Sequence, residues 1–156
     1  MGTDRPGEIA TLTEIVRPDH AVITAIGEEH LERLGDLEGV LREETSILAG
    51  LAPEGKAFVA EEPESLPRRA REMVGGARVR VAGFGDGADL RPDGGEAGIQ
   101  VLEDGSTVWR WRGIEVRLPI PGRINVRNAL LALGVGRELG VDATAAAEGI
   151  ARVTLP

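Results

Sequence analysis

Three short apolar runs, separated by two segments with helical spacing, constrain the fold of this chain most strongly. The runs are residues 21–26 (AVITAI), 56–60 (KAFVA) and 77–81 (ARVRV), and the first lies between Pro18 and Gly27. Short runs of this kind, rich in β-branched residues and bounded by turn residues, are typical of buried strands. Strands that alternate with helices form parallel sheets with right-handed crossovers. We therefore predict an α/β fold in three layers, with a mostly parallel sheet.

The segments between these strands have apolar residues at helical spacing. Steps of three and four residues between Leu31 and Leu51 predict one long helix, or two short helices broken at Gly35. Residues 64–74 predict a short charged helix. Residues 84–97 are rich in Gly and Asp, and we predict a loop or a boundary there.

Alternating apolar residues beyond this loop predict a small antiparallel meander of three strands within residues 97–119. Asp104-Gly105 and Arg112-Gly113 would join the strands, since both pairs are hairpin signals. Two helices follow, one from Asn125 to Leu139 and one that Asp142 caps.

The composition excludes several classes of protein. The chain has 156 residues, a usual length for one domain, so we treat residues 1–156 as one folding unit. It has no Cys, which excludes a disulfide scaffold and thiol catalysis. Its formal charge of -8 argues against non-specific binding to nucleic acid or an acidic membrane. No apolar stretch approaches the roughly 20 residues of a membrane span, and residues 1–10 lack the basic region and apolar run of a signal peptide. We expect a cytoplasmic protein.

Two carboxylates and an imidazole follow the first predicted strand, in Gly27-Glu28-Glu29-His30. Ligands of open α/β sheets bind beyond the carboxyl ends of the strands, and these side chains could hold a hard divalent cation. The alternative is a solvated helix start, in which the Glu side chains favour the helix dipole and His30 only packs. Glu43 and Glu44 add acid further along, which a charged outer helix face explains equally well.

The two Asn residues of the chain, Asn125 and Asn128, fall within one turn of a predicted helix. At this spacing their amides point the same way and could donate to and accept from a purine edge. The alternative for Asn125 is a helix cap, a role that does not explain Asn128. Trp109 and Trp111 share a strand face, and we predict core packing for them rather than a stacking platform.

The single Lys, Lys56, lies in a stretch that fits the G-x-x-x-x-G-K spacing of a phosphate loop, from Gly50 to Ala57. A phosphate loop follows a strand and opens a helix, so that the helix N-terminus faces the anion. This stretch follows a helix and opens a strand, and Ala57 lacks the hydroxyl that holds magnesium. We therefore predict a plain turn.

Four segments, taken in order, resemble the central domain of the Mur ligases, and together they cover nearly the whole chain. Their order and spacing are more specific than any one of them. They are Met1-Gly2 with Pro6-Gly7-Glu8-Ile9; Arg17-Pro18-Asp19 through the first strand to Gly27 and His30-Leu31-Glu32; Gly35 with Leu37, Gly39 and Val40; and Leu118-Pro119 with Pro121-Gly122-Arg123, Asn125, Asn128 and Ala129.

The resemblance implies an enzyme that joins an amine to a carboxylate through an acyl phosphate, with ATP and magnesium as cofactors. It implies the addition of D-alanyl-D-alanine to a UDP-N-acetylmuramoyl tripeptide in peptidoglycan synthesis, by a longer protein with N-terminal and C-terminal domains. By position, His30 matches the metal-site histidine of the family, and Asn125 and Asn128 match its nucleotide-site pair. The alternatives are a diaminopimelate-adding or folylpolyglutamate-type ligase, or a binding module descended from such a ligase.

The sequence departs from the family pattern at several positions. The phosphate loop of the family lies upstream of the matched region, and its magnesium-binding Glu stands immediately before the Met-Gly step. The sequence given begins at that Met, and nothing in it replaces either group. We therefore expect the isolated chain neither to hydrolyse ATP nor to bind it tightly. Many members carry a carbamylated Lys where this chain has Glu44, and we expect that carboxylate to supply equivalent metal-binding oxygens. Ile124 stands where relatives often have His, so any contact from that side chain is lost.

Overall fold

The structure, a computed structural model, describes residues 5–28 and 31–154. The chain divides into two compact units, residues 1–81 and 82–156, and each is described by itself. The elements in chain order are α1 (Glu8–Val16), β1 (Ala21–Ile23), α2 (Leu31–Leu34), α3 (Leu37–Thr45), β2 (Ala57–Ala60), α4 (Ser65–Val74), β3 (Val79–Ala82), β4 (Gln100–Val101), β5 (Thr107–Trp111), β6 (Ile114–Leu118), α5 (Arg123–Glu138) and α6 (Ala143–Ala151). Short 3-10 helices lie at Ser46–Gly50, Gly76–Arg78 and Gly95–Gly98.

A three-stranded parallel sheet in the order β1-β2-β3 carries the core of the first unit, which confirms the predicted α/β fold. Ala21 lies opposite Ala57, and Ile23 lies opposite Val59. Each residue of the central strand β2 is buried, as expected where helices cover both faces of a parallel sheet. The core consists of Ala21, Ile23, Leu41, Leu48, Ala57, Val59, Ala60, Leu66, Ala70, Val79 and Val81.

The helices between these strands begin and end close to the predicted positions. The segment that begins at Leu31 is broken at Gly35, and α3 starts after Asp36, whose side chain accepts a hydrogen bond from the Gly39 N–H at 2.8 Å. The stretch from Gly50 to Ala57 follows a 3-10 helix and opens β2, as predicted for a turn rather than a phosphate loop. Strand β1 is shorter than predicted, since it ends at Ile23.

Helix α1 is an element that the sequence patterns do not predict. Its N-cap residue is Gly7, which has no side chain to cap the helix. The cap comes from α3, where the two carboxylate oxygens of Glu43 accept from the Gly7 N–H at 2.7 Å and the Ile9 N–H at 2.9 Å. Glu43 is 7% exposed, so a charged outer face is the wrong explanation for it. Its carboxylate lies at the positive end of the α1 dipole.

The second unit contains the predicted antiparallel meander, with strands in the order β4-β5-β6. Trp109 lies opposite Val116, and Trp109 and Trp111 are 1% and 3% exposed, which confirms that both are core residues. The carboxylate of Asp142 accepts from the N–H groups of Thr144 and Ala145, so the predicted cap of α6 is confirmed. Within the described parts of the chain, the helices are too short or too polar to cross a membrane.

Candidate functional site

The candidate nucleotide site lies at the start of α5 in the second unit. The chain enters this helix through Gly122, whose φ of 107° is strained for any residue with a Cβ atom. The Gly122 carbonyl accepts from the N–H groups of Asn125 at 3.0 Å and Val126 at 3.2 Å. Glycine at position 122 therefore sets the direction in which the first turn of the helix begins.

Asn125 is held within this turn. Its Nδ2 donates to the Pro121 carbonyl at 2.7 Å. Because Gly122 is the N-cap residue, the interpretation of Asn125 as the helix cap is wrong. The amide instead ties the first turn of α5 to the residue that precedes Gly122.

Asn128 follows one turn later, and its amide oxygen has a different environment. The residue is half-buried, its Oδ1 is enclosed, and no described residue donates a hydrogen bond to that atom. A buried acceptor without a donor costs about 1–3 kcal/mol, and a bound ligand is one way in which such an atom gains a partner. The exocyclic amino group of a nucleobase is a partner of the right kind. The residue thus fits a bound nucleotide.

Arg123, at the start of α5, occupies a different side of the helix from Asn128. Residues 123 and 128 lie about 140° apart around a helix axis. The Arg123 guanidinium carbon lies 4.6 Å from the ring centroid of Phe84, and its Nε lies 2.9 Å from a carboxylate oxygen of Glu96. The sequence does not predict these contacts, because Phe84 and Glu96 both fall in the predicted loop of residues 84–97, whose composition does not determine its path.

The structure describes only some of the predicted metal ligands. His30 and its neighbour Glu29 lie outside the described residues. Glu44 is half-buried at the end of α3 in the first unit. Among residues 5–28 and 31–154, no three His, Cys, Asp or Glu side chains are grouped closely enough to hold a metal ion. The described residues do not form a magnesium site by themselves, and the assignment of His30 and Glu44 stays a prediction.

Asp104 has a lowered pKa, but its contacts show that it belongs to a turn. The hydroxyl of Ser106 donates to the Asp104 carboxylate at 2.6 Å and the Ser106 N–H at 2.9 Å. These hydrogen bonds, with a smaller effect from the Arg117 guanidinium, hold the pKa of Asp104 below its ordinary value. The cluster stabilises the connection between β4 and β5 and lies apart in sequence from the Asn pair.

The parallel sheet with its helices and the three-stranded antiparallel sheet match the central-domain structures of MurF ligases. The family model described as the Mur ligase middle domain matches residues 1–136. The chain therefore belongs to the Mur ligase family, and the resemblance drawn from the sequence is confirmed.

Relatives in this family cover most of the chain. The UDP-N-acetylmuramoyl-tripeptide–D-alanyl-D-alanine ligase of Bacillus subtilis is 33% identical over 153 residues, covering 96% of this chain and 31% of that protein. The UDP-N-acetylmuramate–L-alanine ligase of Rubrobacter xylanophilus is 37% identical over 134 residues, covering 85% of this chain and 28% of that protein. The crystal structure of MurF ligase from Thermotoga maritima in complex with ADP has a TM-score of 0.71 and 25% identity, covering 98% of this chain and 35% of that one. The chain thus spans about a third of the length of these relatives.

Proposed function

We propose that this chain is the middle-domain segment of an ATP-dependent ligase that joins D-alanyl-D-alanine to a UDP-N-acetylmuramoyl tripeptide in cytoplasmic peptidoglycan synthesis. The observation that carries the proposal is the 33% identity to the B. subtilis ligase across 96% of the chain. Because the chain spans 31% of that relative, the activity belongs to a longer protein, with N-terminal and C-terminal domains beside this segment.

The proposed reaction proceeds in two chemical steps. A terminal carboxylate oxygen of the tripeptide attacks the γ-phosphorus of ATP, and ADP leaves, which gives an acyl phosphate. The amine of D-alanyl-D-alanine then adds to the acyl carbon, loses a proton, and expels inorganic phosphate as the amide forms. Magnesium, when bound, would neutralise charge on the phosphoryl oxygens, and we assign His30 and Glu44 to its coordination.

The contribution of this segment that its geometry supports is nucleotide binding by Asn128. An Asn amide can accept from the N6 amino group of adenine and donate to the adjacent N7. The terminal torsion of Asn is broad, so the amide can turn its enclosed oxygen toward a ligand. Guanine would place a carbonyl oxygen against Oδ1, and the site therefore favours adenine. Asn125 supports this arrangement by fixing the first turn of α5 through Pro121.

The nucleotide site is tested in the complete protein with Asn128→Leu, which removes the amide at similar size. Loss of two hydrogen bonds of about 1 kcal/mol each should weaken ADP binding roughly tenfold or more and raise the KM for ATP. Titration with a fluorescent ADP analogue measures this directly. Gln100→Leu, at an exposed amide on β4, is the matched control and should bind ADP normally. Unchanged binding in Asn128→Leu would rule out the nucleotide role of this residue.

The metal assignment is tested with Glu44→Gln, which removes one negative charge and keeps the shape of the side chain. We expect a lower rate and a higher magnesium concentration at half-maximal activity. Glu38→Gln on the exposed side of the same helix provides the control for the charge change. If Glu44→Gln leaves the magnesium dependence of the activity unchanged, the assignment of Glu44 as a metal ligand is refuted.

The 37% identity to the R. xylanophilus relative favours a second candidate, the addition of L-alanine to UDP-N-acetylmuramate. ATP-dependent phosphate release separates the two candidates. Release with the UDP-N-acetylmuramoyl tripeptide and D-alanyl-D-alanine supports the first, and release with UDP-N-acetylmuramate and L-alanine supports the second. Release with neither pair would leave both substrate assignments wrong.

A further inference from the structure

A groove in the first unit lies between α1 and the 3-10 helix of residues 46–50. Its volume is about 440 Å³, and the residues that line this α1 groove are Ala10, Thr13, Glu14, Arg17, Ser46, Ala49 and Gly50. The two helices approach closely, because a Cβ atom at Gly50 would clash with the Thr13 methyl. Ala10 and Ala49 are exposed in the groove and leave room for a small apolar group. A groove of this size accepts a small molecule.

Arg17, on the α1 side of the groove, has a backbone conformation that is unusual for its residue type. Among the described residues other than glycine, Arg17 and Arg112 have a positive φ, of 47° and 55°. Arg112 precedes Gly113 in the turn between β5 and β6, and two-residue hairpin turns favour a positive φ at both positions.

Arg17 has no such turn to explain its φ, since it is the C-cap residue of α1, a position where a left-handed residue is usually Gly or Asn. A cation favours the negative end of the helix dipole, but it does so from the last helical turn without left-handed strain. The side chain of Arg17 therefore points to a role other than stabilising the helix.

The polar groups that line the α1 groove do not neutralise one another. Glu14 and Arg17 are exposed and lie three positions apart, yet neither forms an ion pair with any residue that the structure describes. Ser46, on the other side of the groove, has an enclosed Oγ to which none of the described residues is hydrogen-bonded. Its χ1 torsion has three staggered positions, so the hydroxyl can turn toward a ligand. The groove thus offers a carboxylate, a guanidinium and a hydroxyl beside a small apolar surface.

We propose that the α1 groove binds a free amino acid with a small side chain. The Arg17 guanidinium donates to the carboxylate of the ligand, and the Glu14 carboxylate accepts from its ammonium group. Ala10 and Ala49 contact its side chain. A simple anion such as phosphate is repelled by Glu14, and a simple cation is repelled by Arg17, so the pair selects a molecule that carries both charges. This site depends on neither the nucleotide assignment nor the metal assignment proposed above.

Titration of the complete protein with L-alanine tests the proposal, with the alanine methyl groups of the protein labelled for NMR. The Ala10 and Ala49 methyl signals should shift and saturate, with a dissociation constant of about 1 mM. L-alaninamide lacks the carboxylate and N-acetyl-L-alanine lacks the ammonium group, and each should bind at least about tenfold more weakly. Shifts that do not saturate by about 20 mM L-alanine would overturn the proposal. Equal binding of N-acetyl-L-alanine would also overturn it, since the groove would then recognise any carboxylate.

Arg17→Gly separates ligand binding from folding, because it removes the guanidinium and relieves the left-handed strain. It should abolish the L-alanine shifts while the α1 amides stay at least as protected from hydrogen exchange as before. Glu14→Gln should weaken L-alanine about tenfold and leave N-acetyl-L-alanine unchanged. Glu38→Gln, at an exposed carboxylate on α3, is the matched control and should bind L-alanine normally. Normal binding in Arg17→Gly would refute the site, and faster exchange in that variant would assign Arg17 to stability instead.

Discussion

Glu43→Ala should destabilise the first unit, because it removes the carboxylate that caps α1 from another helix. That carboxylate, 7% exposed, accepts from the Gly7 and Ile9 N–H groups at 2.7 and 2.9 Å. Hydrogen bonds to a charged group contribute about 1.5–3 kcal/mol each. Gly7 is exposed, so water can replace its partner, whereas Ile9 is 2% exposed and its N–H would lose an acceptor. The substitution also removes the cost of burying the carboxylate charge, which offsets part of this effect. We therefore expect the free energy of unfolding to fall by about 2–4 kcal/mol.

Hydrogen exchange of the amides in α1 measures this loss locally. A destabilisation of about 2–4 kcal/mol corresponds to exchange that is faster by a factor of roughly 30 to 1000, provided that exchange is limited by opening. Glu43→Gln keeps one acceptor oxygen and should fall between Glu43→Ala and the unsubstituted protein. Formate supplies the missing carboxylate and should partly restore protection in Glu43→Ala, whereas chloride at equal ionic strength should not.

Glu38→Ala is the control for this experiment, since Glu38 is an exposed carboxylate on the same helix. It should leave exchange in α1 unchanged. Exchange in Glu43→Ala that is no faster than in Glu38→Ala would refute the reasoning. Water would then bind the N–H groups of Gly7 and Ile9 as well as the buried carboxylate does.

Two further predictions test local features of the fold. Gly50→Ala would place a Cβ atom 2.4 Å from the Cγ2 methyl of Thr13, and we expect a loss of about 1–3 kcal/mol in denaturant unfolding. Adding Thr13→Ser should recover most of that loss, because Ser lacks the methyl but keeps the hydroxyl; no recovery would contradict the clash. The pKa of Asp104, lowered chiefly by the Ser106 hydroxyl, should rise more in Ser106→Ala than in Arg117→Gln when followed by NMR. The opposite order would make the Arg117 guanidinium the main cause. Because the folded pKa is lowered, the contribution of Asp104 to stability is present above its unfolded pKa of about 3.9 and is lost as the pH falls through the folded value.

The elements that the sequence predicts well are those whose signals lie inside the element. The order of β1, β2 and β3 follows from short apolar runs, and the cap of α6 follows from Asp142, which bonds to residues two and three positions away. Helix α1 shows the limit of such signals. Its cap is a carboxylate 36 positions from Gly7, and no local pattern records a contact of that range.

The candidate nucleotide site shows the same limit at the level of side chains. The spacing of Asn125 and Asn128 places both on one helix turn, but it does not distinguish their roles. The structure does so through their contacts, because the Asn125 amide donates to the Pro121 carbonyl, whereas the Asn128 oxygen has no donor among the described residues. The assignment of His30 remains a sequence-based prediction.

Glu43 and Glu44 are adjacent carboxylates with different proposed roles, and this affects how substitutions in α3 should be interpreted. The Glu43 carboxylate holds α3 to the start of α1. The next residue, Glu44, is the proposed metal ligand. A substitution of either residue removes one negative charge, so a change in magnesium dependence alone does not show which role was lost. Hydrogen exchange of the α1 amides separates the two roles, because Glu43→Gln should speed this exchange and Glu44→Gln should not. A loss of activity in Glu44→Gln therefore supports metal binding only if the amides of α1 stay protected.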